Sequence, residues 1–413
     1  MSDALRAQGR AVCAAATALA QAPDEVRCAV LLDVADRLEA RLEEIVAENA
    51  LDLAAYDDPG PGRDRLTLTP ARVGAMAQGL RDIAALADPL FEVAEAFTRP
   101  NGLRVEKVRV PLGVVGVLYE NRPNVTCDVA GLCVRSGNAA FLRGSSSAQR
   151  TNEMLVGLWH EALDKEGLPA GAVSLVADPS REAAVAFMGL VGVIDCLIPR
   201  GGPSLIAAMR EHARVPYVLD GDGNCHVYVD RAADLAMARA IVANAKTSRP
   251  GVCNAAETLL VHAGIAPSWL PGALAELDKA GVAIHGDERV RAIWPDAEPA
   301  TQADWATEYL ALILAVRVVD DLDEALAHIA RWGTRNSEAV VARDIGVARR
   351  FARAVDSGSV FVNCSTRFSD GGEFGYGLEI GVSTQKLHAR GPMGLEALTC
   401  VKNVTWGSGQ IRV

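Results

Sequence analysis

The sequence predicts an α/β protein with two parallel sheets in one chain, and three observations support this fold class. The chain has 413 residues, of which 50% are hydrophobic, so it can build two or three domains with their own cores. About the first 90 residues repeat apolar positions three and four apart, which is typical of amphipathic helices. The rest of the chain twice alternates short apolar strands with single helices, and that alternation produces parallel βαβ units.

The predicted elements follow one another along the chain. A turn-rich segment, DDPGPGRDR, interrupts the N-terminal helices, and strands begin near residue 101. GLRVEKVRV alternates apolar and charged residues, whereas GVVGVLYE is continuously apolar, as in a strand buried on both faces. The first strand–helix series then contains the strands AAFLRG, VSLVAD, DCLIPRGG, VPYVLDG and HVYVD. The second series begins after Cys253 with the strands ETLLVH, VAIHG, LALILAVRVV, AVVAR and SVFVN.

Composition excludes several classes of function. The chain carries 41 Lys and Arg against 52 Asp and Glu, a net charge of −11, whereas nucleic-acid binding favours a basic surface. No apolar run is long enough to cross a bilayer, and the segment MSDALRAQGR lacks the pattern of a signal peptide. The 9 cysteines are scattered without a CxxC pair, which disfavours both structural zinc and a disulfide framework. We therefore expect a cytoplasmic protein with no nucleic-acid, membrane or metal partner.

Familiar catalytic motifs are missing from the sequence. No Lys follows a Gly, so there is no Walker phosphate loop, and neither Gly-x-Ser-x-Gly nor His-Glu-x-x-His occurs. Gly-x-Gly-x-x-Gly is absent too, which weakens a conventional dinucleotide fingerprint. A nicotinamide site in this chain must therefore hold its phosphates in another way.

Cys253 is a candidate nucleophile. It lies in AKTSRPGVCNAAETLLVH, in a Pro-Gly-Val-Cys-Asn turn between a predicted helix carrying Lys246 and Arg249 and the strand ETLLVH. Fixed positive charge near a cysteine favours the thiolate, which is the nucleophilic form of the side chain. From the residues alone, a small buried cysteine in a turn is an equally good interpretation.

Hydrogen-bond donors follow the apolar strand GVVGVLYE. The segment VPLGVVGVLYENRPNV places Asn121, Arg122 and Asn124 before a helix, where amide and backbone N–H groups can stabilise a developing oxyanion. Capping of that helix by Asn124 is the alternative interpretation.

Two further segments can hold an anion. FLRGSSS places Arg143, Gly144 and Ser145 at a strand-to-helix turn, where they either hold a ribose phosphate or only form the turn. PRGGPSLI places Gly201 and Gly202 before a predicted helix, whose first N–H groups attract negative charge.

The loop NCSTRFSDGGEFGYGLEIG near the C-terminus is rich in glycine, serine and charge. Arg367 within it is a planar cation suited to a carboxylate or a phosphate. A flexible surface connector is the plain alternative, but loops of this composition often carry function.

Long segments of the chain resemble the gamma-glutamyl phosphate reductase family, part of the aldehyde dehydrogenase superfamily. The resemblance extends from about residue 105 to the end of the chain. It is carried, in the family's order, by VPLGVVGVLYENRPNVTCDVAGLC, GNAAFLRGSSSAQRTN, NCHVYVD, AKTSRPGVCNAAETLLVH, WATEY, NCSTRFSDGGEFGYGLEIGVSTQKLHARGPMGLEAL and GSGQIR.

The resemblance implies an NADPH-dependent reduction of L-glutamate 5-phosphate to L-glutamate 5-semialdehyde and phosphate, in proline biosynthesis. It implies an aldehyde dehydrogenase-like fold with a Rossmann-like NADPH-binding domain (1–100 and 113–224), a catalytic domain (225–390) and a small β element for oligomerisation (101–112 and 391–413). A homo-oligomer and glutamate 5-kinase as a functional partner are further implications.

The resemblance also implies roles for single residues. The implied catalytic residues are Cys253, as the nucleophile that forms a thioester, and Asn121. The implied cofactor ligands are Arg143, Gly144, Ser145, Gly201, Gly202 and Glu308. The implied substrate ligands are Arg122, Asn124, Lys246, Arg249 and Arg367.

Two other functions stay open. An oxidising NAD(P)-dependent semialdehyde dehydrogenase of the same fold needs a Glu that activates water, and by resemblance Val218 lies near that position in YVLDGDGNCHVYVD. A catalytically silent relative that serves as an assembly partner would be free to lose the thiol, whereas this chain retains Cys253.

Overall fold

A computed structural model of the protein describes residues 3–58, 60–219 and 221–412. In these residues, no helix combines the length and the apolar character that a membrane span requires.

The chain folds into two compact units. The first takes in the described residues of Met1–Leu219, Gly375–Gly381 and Met393–Val413, and the second those of Asp220–Phe374 and Val382–Pro392. The change of unit after Leu219 falls slightly before the predicted boundary at 224.

The helices and strands, numbered along the chain, have the following bounds. The helices are α1 (Asp3–Leu19), α2 (Asp24–Ala40), α3 (Leu42–Ala54), α4 (Pro61–Leu66), α5 (Pro70–Ala85), α6 (Pro123–Arg135), α7 (Gln149–Lys165), α8 (Arg181–Met188), α9 (Pro203–His212), α10 (Leu235–Thr247), α11 (Ala266–Lys279), α12 (Glu288–Ile293), α13 (Leu322–Trp332) and α14 (Ile345–Ala354). The strands are β1 (Val93–Thr98), β2 (Arg104–Pro111), β3 (Val114–Tyr119), β4 (Ala139–Arg143), β5 (Val173–Leu175), β6 (Cys196–Arg200), β7 (Cys225–Val229), β8 (Ala256–His262), β9 (Ala283–Gly286), β10 (Glu298–Pro299), β11 (Ile313–Val319), β12 (Ser337–Val341), β13 (Ser359–Val362), β14 (Val382–Ser383), β15 (Gly391–Pro392) and β16 (Thr399–Trp406).

A parallel sheet with the strand order β5-β4-β3-β6 forms the centre of the first unit. All six residues of β3 are buried, as its continuous apolar sequence predicts. The described residues of VPYVLDG do not form the predicted strand: among them one bridge joins Tyr217 to Leu197 of β6, and Asp220 lies outside the described part of the chain. Pro216 lacks the N–H that a longer ladder needs, and its carbonyl oxygen accepts a hydrogen bond from the Leu197 N–H at 2.9 Å.

A small antiparallel sheet with the order β1-β2-β16 also belongs to the first unit. Strand β2 pairs with β16 from the Thr399–Pro111 pair to the Trp406–Arg104 pair. Strand β1 lies within residues 1–100, which were assigned to the cofactor domain, but its backbone pairs with β2 in this sheet.

The second unit contains a parallel sheet with the order β10-β9-β11-β8-β7-β12-β13. Its strand β7 is HVYVD, which the sequence placed at the end of the first series, whereas its backbone pairs with β8 and β12. Neighbouring strands of a parallel sheet are joined by crossover connections and need not follow one another in the sequence. The order of strands along the chain therefore did not show that β7 belongs to the second sheet. Apolar residues of β7, β8 and β11 form the unit's largest core with α10 and α11.

A buried ion pair joins α10 to β8 in this unit. The Lys246 ammonium lies 2.5 Å from Glu257 Oε2, and both side chains have 0% exposure. The second oxygen, Glu257 Oε1, accepts a hydrogen bond from the Leu310 N–H at 3.1 Å. Burial lowers the pKa of Lys246 and raises the pKa of Glu257 to about 7, while the attraction between the two groups opposes both changes.

We predict that Lys246→Met destabilises the protein by about 3–5 kcal/mol, because it leaves a buried carboxylate without its partner. The double variant Lys246→Met/Glu257→Gln keeps an acceptor for the Leu310 N–H and removes the charge, so it should recover most of the loss. Urea unfolding followed by circular dichroism measures both effects. A double variant as unstable as Lys246→Met would contradict this account.

Candidate active site

In each unit the candidate residues gather at one end of the parallel strands: at the amino ends in the second unit and at the carboxyl ends in the first. In the second unit, Gly223, Cys253 and Glu308 precede the amino ends of β7, β8 and β11, which are neighbours in the sheet. In the first unit, the candidate segments follow the carboxyl ends of β3, β4 and β6, which are neighbours as well. Adjacent strands therefore bring together residues that are far apart in the sequence.

Cys253 lies in the loop between α10 and β8 and is half-buried. Its carbonyl oxygen accepts a hydrogen bond from the Cys225 thiol, with the sulfur at 3.1 Å. Burial raises the pKa of Cys225 well above its ordinary value, so this side chain stays a protonated donor. The loop residue thus has a fixed backbone and a side chain that solvent can partly reach.

Gly223 packs directly against the Cys253 backbone. A Cβ atom on Gly223 would lie 1.6 Å from the Cys253 carbonyl oxygen, so no other residue fits there without moving the loop. The Gly223 N–H donates to Glu308 Oε1 at 2.7 Å. Glu308, the predicted cofactor ligand, is therefore held at the same edge of the sheet as the nucleophile.

Arg367 is held by the loop that carries Cys253. Its Nη1 donates to Asn254 Oδ1, and its Nε donates to Ser248 Oγ at 3.1 Å. Burial, followed by the charge of the exposed Arg249, lowers the pKa of Arg367, whereas Asp370 and Cys253 act in the opposite direction. The structure brings together Cys253, Arg249 and Arg367 of the predicted set.

Lys246 differs from the prediction. Its ammonium points at Glu257 and is fully buried, so it offers no charge to a substrate in this structure. The sequence placed it close to Cys253 because only six residues lie between the two positions. The helical geometry of α10 turns the side chain into the core instead.

Asn121 belongs to a polar cluster of the first unit. Its φ of +44° is rare for a residue other than glycine. Its Nδ2 donates to the Tyr56 hydroxyl at 2.9 Å, and its Oδ1 accepts from Ser145 at 3.1 Å and Ser147 at 2.5 Å. The amide is therefore oriented by its neighbours, and the predicted contact with an oxyanion needs the second hydrogen on Nδ2.

The two remaining predicted substrate ligands lie at the start of α6. Arg122 is the residue before the helix and is half-buried. Asn124 does not cap the helix; its Nδ2 donates to Asp128 Oδ2 at 2.8 Å, one turn further along. Burial raises the pKa of Asp128 to about 6, and the hydrogen bond from Asn124 partly opposes this effect.

Residues of the FLRGSSS turn hydrogen-bond to and pack against other segments of the first unit. Arg143 Nη2 donates to the carbonyl oxygens of Pro179 at 2.6 Å and Ser180 at 2.8 Å, while its buried Nε has no partner in the described part of the chain. A Cβ atom on Gly144 would lie 2.3 Å from Asn152 Nδ2, so packing alone explains this glycine. Ser145 bonds to Asn121.

The glycine pair after β6 already holds an oxyanion. Gly202, which precedes α9, donates its N–H to Glu120 Oε2 at 3.0 Å. A Cβ atom on Gly201 would lie 2.7 Å from the same oxygen. The Glu120 carboxyl oxygen thus lies at the start of α9, where the sequence predicted an anion.

Several residues of the site were not predicted as such. Cys225 and Asn254 lie within segments that carry the family resemblance, and Gly223 directly precedes one of them, but no spacing in the sequence indicates the contacts that Gly223 and Cys225 make with the Cys253 loop. Glu120 follows β3 directly, and a carboxylate beside a predicted anion site was the signal that could have identified it.

The chain was compared with known proteins. The aldehyde dehydrogenase family model matches residues 2–291. The gamma-glutamyl phosphate reductase of Thermobifida fusca is 54% identical over 401 residues, covering 96% of both sequences. The crystal structure of the gamma-glutamyl phosphate reductase of Thermotoga maritima is 41% identical, covers 100% of both chains and superposes with a TM-score of 0.96.

A more distant structure shows the same fold. The acetylating aldehyde dehydrogenase of Geobacillus thermoglucosidasius is 18% identical, covers 99% of this chain and 97% of its own, and has a TM-score of 0.68. The prediction of an aldehyde dehydrogenase-like α/β fold is thereby confirmed. The chain belongs to the aldehyde dehydrogenase family, whose members are oxidoreductases with a nicotinamide cofactor, and within that family to the gamma-glutamyl phosphate reductases.

Proposed function

We propose that this enzyme reduces L-glutamate 5-phosphate to L-glutamate 5-semialdehyde and phosphate with NADPH, through a thioester on Cys253. The relatives named gamma-glutamyl phosphate reductase, at 54% identity over 96% of the chain, support the overall reaction. The observation that carries the chemistry is a half-buried cysteine whose backbone is fixed by Gly223 and Cys225 and whose neighbours include Arg367.

The proposed acylation step assigns a role to each of these residues. The Cys253 sulfur attacks the C5 carbonyl of the acyl phosphate, the bond from C5 to the phosphate oxygen breaks, and a thioester remains. Arg249 and Arg367 bind anionic groups of the substrate, with Arg122 and Asn124 as further ligands. Asn121 supplies a hydrogen-bond donor to the oxyanion, and such donors are commonly worth about 100-fold or more in rate.

The cofactor ligands are assigned by family analogy, within each unit separately. In the first unit, Gly201 and Gly202 are assigned to a phosphate, and Arg143, Gly144 and Ser145 are further ligands. In the second unit, Glu308 is assigned to the ribose. When bound, the reduced nicotinamide supplies the hydride that converts the thioester to the aldehyde level. Arg143 is the candidate partner for the additional phosphate of NADPH.

An oxidising, hydrolytic semialdehyde dehydrogenase is the alternative. That reaction needs a carboxylate that activates water for attack on the thioester. The predicted position of that base is held by Val218, an aliphatic residue with 2% exposure. Glu257 is bound to Lys246, and Glu308 accepts the Gly223 N–H. These contacts support phosphate rather than water as the proposed acyl acceptor.

The remaining assignments rest on family analogy. We propose a homo-oligomer assembled through the β1-β2-β16 sheet, whose outer strand β1 is exposed along its whole length. Glutamate 5-kinase is the proposed functional partner because its reaction supplies the acyl phosphate. The cytoplasmic location stays a prediction.

We predict that the purified protein reduces NADP when glutamate semialdehyde and inorganic phosphate are both present, and that NADP is used faster than NAD. The absorbance of the reduced nicotinamide measures this reverse reaction. Formation of free glutamate without any need for phosphate would favour the oxidising alternative. No absorbance change with either nicotinamide would contradict the proposed function.

We predict that Cys253→Ala lowers turnover by at least about 10³-fold, because the thioester cannot form. The unfolding midpoint should stay near that of the parent protein, since the side chain is half-buried in a loop. Cys13→Ala, at an equally half-buried position on α1, is the matched control and should retain full activity. Substantial turnover by Cys253→Ala would show that another group is the nucleophile.

We predict that Gly223→Ala lowers kcat by about 100-fold, because the added methyl group displaces the Cys253 loop and misplaces the nucleophile. Gly157→Ala on α7 is the control, since a Cβ at that site meets nothing within 4 Å. Steady-state kinetics measures kcat, and circular dichroism shows whether the variant is folded, so a displaced loop can be distinguished from an unfolded protein. Unchanged kcat in a folded Gly223→Ala variant would exclude this packing constraint.

A further inference from the structure

Two arginines lie beside the loop that carries Cys253, and the carboxylates of Asp370 and Glu373 act on Arg367 without forming an ion pair with it. In a chain of net charge −11, neither Arg249 nor Arg367 forms an ion pair within 4.0 Å in the described ranges. The two guanidinium groups are close enough for the charge of Arg249 to lower the pKa of Arg367. Two like charges held close together destabilise the protein, and a bound anion offsets their repulsion.

The Arg367 guanidinium is oriented before any ligand binds. Arg367 Nη1 donates to Asn254 Oδ1 and Arg367 Nε donates to Ser248 Oγ, so the plane of the guanidinium group is fixed. Asn254 is itself fixed, since its Nδ2 donates to the Ser369 carbonyl at 2.9 Å and its own carbonyl accepts from Thr366 Oγ1 at 2.7 Å. The N–H groups of Nη2 make no hydrogen bond within the described residues and remain for a ligand.

Hydrogen-bond capacity around Arg367 suits a tetrahedral oxyanion. Ser248 accepts from Arg367, which leaves its own O–H to donate to the same ligand. Arg249 follows Ser248 directly and adds a second cation that is exposed. A phosphate has three oxygens free to receive these donors, whereas a carboxylate has two.

The position of these groups identifies which anion of the substrate they receive. Arg367 donates a hydrogen bond to the side chain of Asn254, which is the next residue after Cys253. This contact places the anion near the carbon that Cys253 attacks. In L-glutamate 5-phosphate the phosphate is bonded to that carbon through one oxygen, whereas three carbons separate it from the α-carboxylate.

We propose that Ser248, Arg249 and Arg367 form a phosphate subsite that selects phosphate as the acyl acceptor of the Cys253 thioester. In the forward direction the C5–S bond forms, the C5–O bond breaks, and phosphate leaves with the electron pair while the thiolate loses its charge. In the reverse direction the subsite places an oxygen of inorganic phosphate against the thioester carbon. This inference rests on the proposed function. It assigns these three residues to the phosphate of the substrate and not to its α-amino and α-carboxylate groups.

The test uses the reverse reaction and an independent binding measurement. For Arg367→Gln and Arg249→Gln we expect the KM for phosphate to rise about 10- to 100-fold, because charge-assisted hydrogen bonds are lost. The KM for glutamate semialdehyde should change less than about twofold, since its carboxylate binds elsewhere. Arg367→Lys should recover part of the affinity but not the oriented fork. Arg343→Gln, an exposed arginine paired with Asp234, is the control with unchanged constants.

Alkylation of Cys253 by iodoacetamide gives the second measurement without any nicotinamide. Inorganic phosphate should slow alkylation of the parent protein and of Arg343→Gln, and it should not protect Arg367→Gln. Circular dichroism identifies any variant that fails to fold, and the exposed Arg249→Gln then carries the test.

The outcomes distinguish this inference from the proposed function. Phosphate-dependent turnover with an unchanged phosphate KM in Arg367→Gln and Arg249→Gln would overturn the subsite and leave the function intact. A selective rise in the KM for semialdehyde would assign the arginines to the α-carboxylate and overturn the subsite as well. Protection of Cys253 by phosphate in a protein without turnover would support the subsite while refuting the proposed function.

Discussion

The packing of the Cys253 carbonyl against Gly223 is the constraint on which the site of the second unit depends. Parallel pairing of β7 with β8 brings the two loops into contact, and the absence of a side chain on Gly223 allows the approach. The thiol of Cys225, the first residue of β7, then binds the carbonyl from the same side. The pairing of β7 with β8 therefore fixes the position of the Cys253 loop, and a sheet is more rigid than a surface turn.

Orientation of the charged groups follows from that fixed loop. Asn254 continues directly from Cys253 and is bonded by Thr366 and Ser369, so its amide oxygen has a set position. Arg367 in turn takes its orientation from this oxygen. A displacement of the loop therefore moves the nucleophile and the cation together, which preserves their mutual geometry and makes the site sensitive to packing several residues away.

The sequence predicted what depends on local pattern and missed what depends on register. Alternation of strands and helices indicated two parallel sheets, whereas the turn around Cys253 left two interpretations open and only the family resemblance assigned it the role of nucleophile. Lys246 was misplaced because its pairing with Glu257 crosses from a helix to a strand. Pro216 shortened a strand that apolar residues had favoured. The contact of Gly223 with the nucleophile loop exists only after β7 and β8 pair, so no spacing along the chain encodes it.

Burial gives two neighbouring cysteines different chemistry. Cys225 is enclosed by apolar and acidic groups, and burial followed by the charge of Glu338 raises its pKa, so it remains a thiol and donates a hydrogen bond. Cys253 lies on the half-buried loop beside Arg367, where solvent partly reaches it. Attack on an acyl group needs a sulfur with access to the ligand, and of these two cysteines Cys253 has the more accessible position. The buried Cys225 thiol contributes by holding the backbone of the candidate nucleophile in place.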